Sequence, residues 1–116
     1  MKTASILAGA ILLTVLMAIP AAATPPSKVT LNWNAGTQTL EVLVDHLTLD
    51  PQLHYIKLIQ VTVDGKDAGA QTFTSQTNSK QQIGGIKLSG VKPGAVIVAT
   101  AFCSLFGSGS GQLTVP

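Results

Sequence analysis

The stretch His54-Tyr-Ile-Lys-Leu-Ile-Gln-Val-Thr-Val-Asp-Gly65 decides the fold. From Tyr55 to Val63 it is rich in β-branched residues, and Asp64-Gly65 carries the signature of a tight hairpin turn. The reading is a strand led by a histidine, with Ala68 to Thr74 returning beside it. Upstream, Lys28 to Trp33 alternates polar and apolar residues, with Val29, Leu31 and Trp33 on one face. Asn34-Ala-Gly-Thr37 is a turn, and Leu40 to Val44 is a second strand with Leu40, Val42 and Val44 inward. Downstream, Ser75 to Gln82 reads as a polar loop. Ile83 to Leu88 reads as a strand in which Gly84-Gly85 marks a bulge. Val91-Lys-Pro-Gly94 is a turn, and Ala95 to Cys103 is apolar or small on both faces, as a central strand should be. Gly107-Ser-Gly-Ser-Gly111 reads as a flexible loop before a last edge strand, Gln112 to Val115. Beyond the apolar amino terminus no segment sustains a helical period. Six or seven short strands with regular turns predict an all-β sandwich.

The amino terminus has a different character. Lys2 supplies a positive charge, Ala4 to Ile19 is apolar, Pro20 breaks the run and Ala21-Ala22-Ala23 supplies small residues. This is the pattern of a secretory signal peptide over residues 1–23, cut before Thr24. The mature domain would be residues 24–116, exported to the periplasm or secreted, with no stable membrane insertion after cleavage. The apolar run is short for a spanning helix, and retention as an uncleaved anchor is the alternative. The chain has no arginine, and Lys28, Lys57, Lys66, Lys80, Lys87 and Lys92 are scattered. Counterion release needs clustered cations, so nucleic acid is excluded as an expected partner.

Soft ligands are few. Cys103 is the only cysteine, so it cannot form an internal disulfide. It is a buried thiol, an intermolecular bridge or a ligand. His46 follows one strand, His54 precedes the next and Cys103 ends another, so all three can converge at one end of a sandwich. Imidazole and thiolate suit iron, copper and zinc, and two histidines with one cysteine also form the core of a blue-copper site. The copper reading wants a histidine and a methionine soon after the cysteine. Neither follows, and Met1 and Met17 lie in the predicted leader. The plain alternative makes His46 and His54 solvated loop residues and Cys103 part of the core. No Gly-x-Ser-x-Gly elbow or phosphate loop is present. Trp33, Tyr55 and Phe102 read as core packing, and Asp64 and Asp67 as solvated turn residues.

His54-Tyr-Ile-x-x-Ile-x-Val-x-x-Asp-Gly65 followed by Ala101-x-Cys103-x-x-x-Gly107, with Val44-Asp45-His46 upstream, resembles the iron domain of superoxide reductases, the desulfoferrodoxin and neelaredoxin family. The resemblance spans roughly Leu40 to Gly107 and implies an immunoglobulin-like sandwich of about seven strands. In that family four histidines hold a ferrous ion in one plane, a cysteine thiolate binds axially, and the sixth position is open for superoxide, which is reduced to peroxide. Carried over, His46 and His54 would be equatorial ligands and Cys103 the axial one. Phe106 stands where the family has a further histidine, and no histidine lies between Thr24 and Gly36. The resemblance thus implies an exported superoxide reductase-like domain binding iron through an incomplete site, with superoxide and an electron-donor protein as partners. If active, it would be an oxidoreductase producing hydrogen peroxide. The alternative is a non-catalytic immunoglobulin-like binding or structural module whose metal site is lost. That alternative buries Cys103 beside Phe106 and turns both histidines to solvent.

Overall fold

A computed structural model describes residues 24–116, and the predicted signal peptide lies outside the described residues. These contain seven strands: β1 (Lys28–Asn34), β2 (Thr39–Asp45), β3 (Ile56–Val63), β4 (Lys66–Thr72), β5 (Gln81–Lys87), β6 (Val96–Cys103) and β7 (Ser108–Thr114). They form two antiparallel sheets, ordered β1-β2-β5 and β4-β3-β6-β7. No helix occurs among the described residues.

Period-two alternation explains which side chains the sheets bury between them. From β2 come Leu40, Val42 and Val44, and from β6 come Ile97, Ala99 and Ala101, all with no exposed surface. Val29 and Leu31 of β1, Ile86 of β5, and Ile56, Ile59 and Val61 of β3 join the same cluster. Burying each large aliphatic chain contributes about 1.5–3 kcal/mol. Ile56 and Ile59 are three residues apart and still face inward, because the β3–β6 ladder shifts register between Ile56 and Leu58. An extra residue there resets the face that β3 presents. The Asp64-Gly65 turn has positive φ at both residues, 50° and 81°, which is the geometry a two-residue hairpin needs. Asp64 is more than a solvated turn residue, since its Oδ1 accepts the Val96 N–H at 2.9 Å.

Two glycine-rich stretches differ from the expectation. Gly84-Gly85 makes no bulge: the β2–β5 register runs unbroken through both residues. A Cβ on Gly84 would come within 2.9 Å of Ile59 Cδ1, so the glycine exists to let the opposite sheet close. Nor is Gly107 to Gly111 a flexible loop, because Ser108 onward is β7, paired with β6. Its glycines fall at every second position and face the amino-terminal segment. A Cβ on Gly109 would lie 3.1 Å from Pro26 O, and one on Gly111 would collide with Val29 O. The missing side chains bring β1 of one sheet against β7 of the other. Trp33 is only half-buried at the margin of the core, with its Nε1 buried and unpartnered. Tyr55 and Phe102 are also half-buried.

Candidate metal centre

Three strand ends meet at one end of the molecule. His46 extends the inward series Leu40, Val42, Val44 by one step, and its N–H continues the ladder to Lys80 O at 3.0 Å. Cys103 likewise extends Ile97, Ala99, Ala101, and it pairs with Ile56 at the start of β3. His54 stands just before β3, where an Asp50-Pro51 turn brings it back: its N–H donates to Asp50 O at 2.9 Å, while Asp50 Oδ1 accepts the Gln52 N–H. Ser104 ties the cysteine loop to this turn, donating its N–H to Tyr55 O and accepting the Tyr55 N–H on Oγ. Gly107, at φ 83°, lets the loop after Cys103 close so that its carbonyl accepts the Cys103 N–H.

His54 Nε2 lies 3.1 Å from Cys103 Sγ, and one ligand atom from each of His46, His54 and Cys103 falls within 4.8 Å of the others. Ligands held about 2.0–2.3 Å from one ion are at most about 4.5 Å apart, so this spacing is close to what a shared ion requires and is compatible with a metal. The imidazoles pack edge to face, with centroids 4.6 Å apart. His46 is 1% exposed and Cys103 4%, while His54 is half-buried and reaches a cleft of about 380 Å³ shared with Thr24, Leu47, Thr48, Leu49 and Asp50. The Leu105 N–H donates to Cys103 Sγ at 3.4 Å.

Gln76, which the sequence hides in a polar run, organises the pocket. It is 6% exposed. Its Nε2 donates to His46 O at 2.8 Å and Asn78 O at 2.9 Å, and its Oε1 accepts from Ile56 N–H at 3.2 Å and from His46 Nδ1 at 2.7 Å. Exchanging the amide oxygen and nitrogen would set like against like at three of these contacts, so the orientation is fixed. A partner of this kind orients metal-binding histidines and selects their tautomer. Thr24 meets the other side of the ring, with its carbonyl oxygen 2.8 Å from His46 Nε2.

The plain alternative for these residues is only partly met. Cys103 is buried, but His46 is enclosed rather than solvated. Phe106 is 56% exposed, so it does not refill a lost pocket with apolar packing. The chain matches no family model, no curated protein and no solved structure. The resemblance to superoxide reductases therefore rests on the residues that carry it.

Proposed function

We propose that this domain is an exported metalloprotein that holds one transition-metal ion through His46, His54 and Cys103, with iron as the resident metal and superoxide-reductase-type chemistry as its activity. The observation that carries this reading is the approach of two imidazoles and the only thiol at buried strand ends, with His46 tied by Gln76. A His/His/Cys donor set suits iron, copper or zinc, and the resemblance favours iron. The reaction takes one electron and two protons per superoxide and yields hydrogen peroxide, with the electron supplied by a donor protein. Support for a docking partner comes from the rim. Leu47, Leu49, Leu53, Leu105 and Phe106 are all more than half exposed, and they stand on the two loops that carry the site. The immunoglobulin-like class is part of the same proposal, supported by three- and four-stranded antiparallel sheets around one core.

The test is titration of the metal-free protein with cobalt(II). A thiolate-to-cobalt absorption band that saturates at one equivalent and disappears in Cys103→Ala is the expected result. No band in the wild type would contradict the reading and leave the apolar rim as a protein-binding surface.

A further inference from the structure

Six large apolar side chains are exposed among the described residues, and five of them stand on two neighbouring loops. Leu47, Leu49 and Leu53 lie on the loop between β2 and β3, and Leu105 and Phe106 on the loop between β6 and β7. The loops are joined: Leu53 O accepts the Ser104 hydroxyl at 3.4 Å, and the Ser104 N–H donates to Tyr55 O. Together they form one apolar tip at a single end of the sandwich. The only formally charged residue on either loop is Asp50, and its Oδ1 is taken up by the Gln52 N–H. A contiguous apolar patch of this kind marks a surface that another body covers.

The place where the chain enters the fold identifies that body. Thr24 donates its Oγ1–H to Leu47 O at 3.0 Å, and a Cβ on Gly107 would come within 2.6 Å of Pro25 Cβ. The amino-terminal segment therefore enters between the two apolar loops. Ala4 to Ile19, the apolar stretch ahead of it, ends five residues before Thr24, at most about 18 Å of extended chain. While that stretch is held in a membrane, as a leader or an anchor must be, this end of the sandwich is held against the lipid. Lys28, Lys57 and Lys80 are exposed and stand where the strands leave the tip. Lys28 pairs with Asp45, Lys57 is the second residue of β3, and the Lys80 carbonyl accepts the His46 N–H. Apolar side chains in front with lysines behind is the order in which a protein meets the acyl and headgroup layers of a bilayer.

We propose that the tip formed by loops 46–54 and 104–107 is a lipid-docking face, seating Leu47, Leu49, Leu53, Leu105 and Phe106 in the boundary between acyl chains and headgroups. The leader delivers the domain with this end toward the membrane, and after cleavage these side chains alone keep it on the lipid surface. The docking is peripheral, with no segment of the sandwich crossing the bilayer. The face exists whether or not an ion is bound, so it goes beyond the metal centre and does not depend on it. Lipid and a donor protein would compete for the same rim.

The test uses the chain Thr24–Pro116, which contains all seven strands and every core residue, so that no leader contributes to binding. Co-sedimentation with vesicles of phosphatidylcholine and phosphatidylglycerol gives its lipid affinity, and Trp33 fluorescence verifies that each variant is folded. The wild type is expected to bind, and the double variant Leu49→Ser/Leu105→Ser to bind at least about tenfold more weakly. Ile83→Ser is the control. Ile83 is also exposed but stands on β5, outside the tip, and its variant should bind as the wild type does. No vesicle binding by the wild type, equal binding by the double variant, or an equal loss in Ile83→Ser would overturn the proposal. So would a wild-type chain that ignores vesicles and self-associates through Leu49 and Leu105, which would assign the face to a second copy. Cobalt titration of the double variant keeps the two proposals apart, because all three candidate ligands remain in it.

Discussion

At the scale of single residues, Gln76 carries more of the site than its place in Ser75–Gln82 suggests. Gln76→Ala leaves the Ile56 N–H, the His46 and Asn78 carbonyls and His46 Nδ1 without their partner. Each buried polar group stranded in this way costs about 1–3 kcal/mol, reduced where water can enter. The expected result is a loss of about 2–4 kcal/mol in urea unfolding followed by Trp33 fluorescence. Metal affinity should fall about 10- to 100-fold as His46 loses its orienting partner. Phe106→Ala makes the contrasting case. Phe106 is exposed, so the change should move stability by less than about 0.5 kcal/mol and leave cobalt binding intact. A large loss of stability would restore the idea of a refilled pocket. Counting by twos along Leu40, Val42, Val44 leads to His46, and along Ile97, Ala99, Ala101 to Cys103. The structure directs both inward at strand ends. The sequence left His46 open to a solvated reading and both faces of the Cys103 strand apolar or small. Gln76 was not legible. A buried glutamine in a run of serine, threonine, asparagine and glutamine follows no period, and its role exists only once three distant segments meet.

At the scale of elements, β7 shows how composition misleads. Gly107 to Gly111 has the glycine and serine content of a linker, yet Gly109 and Gly111 are the inward positions of a strand that must admit β1. Gly111→Ala should therefore cost more than about 2 kcal/mol, because its methyl group meets the Val29 backbone, which cannot swing aside. Gly85→Ala is the control within another strand. Its Cβ would meet nothing, so a gain of about 0.4–1 kcal/mol is expected from the less flexible unfolded chain. Chemical denaturation of both variants checks the contrast, and similar effects of the two would refute the packing argument. Irregularities of the kind assigned to Gly84-Gly85 lie instead in the other sheet, at Val61/Thr62 in the β3–β4 ladder and between Ile56 and Leu58 in the β3–β6 ladder. No glycine marks the second of these, since that bulge arises from pairing with β6 and not from local conformational freedom.

For the whole molecule, strand count and turn chemistry were readable because alternation and the Asp64-Gly65 turn are local. The pairing of β2 with β5, across the entire β3–β4 hairpin, has no local signal. It follows from burying Leu40, Val42 and Val44 against the apolar face of the other sheet. Ile59, with no exposed surface and in reach of Gly84, lies at the junction of the two sheets, and Ile59→Ala should cost about 2–5 kcal/mol. The same architecture gathers the end of β2, the start of β3 and the end of β6, and with them His46, His54 and Cys103. The most direct test of that centre is the metal content of the protein purified without oxygen, beside Cys103→Ala prepared identically. Close to one iron per chain, with a thiolate-to-iron band on oxidation that the variant lacks, is the predicted result. No metal in either protein, or the same amount in both, would contradict it.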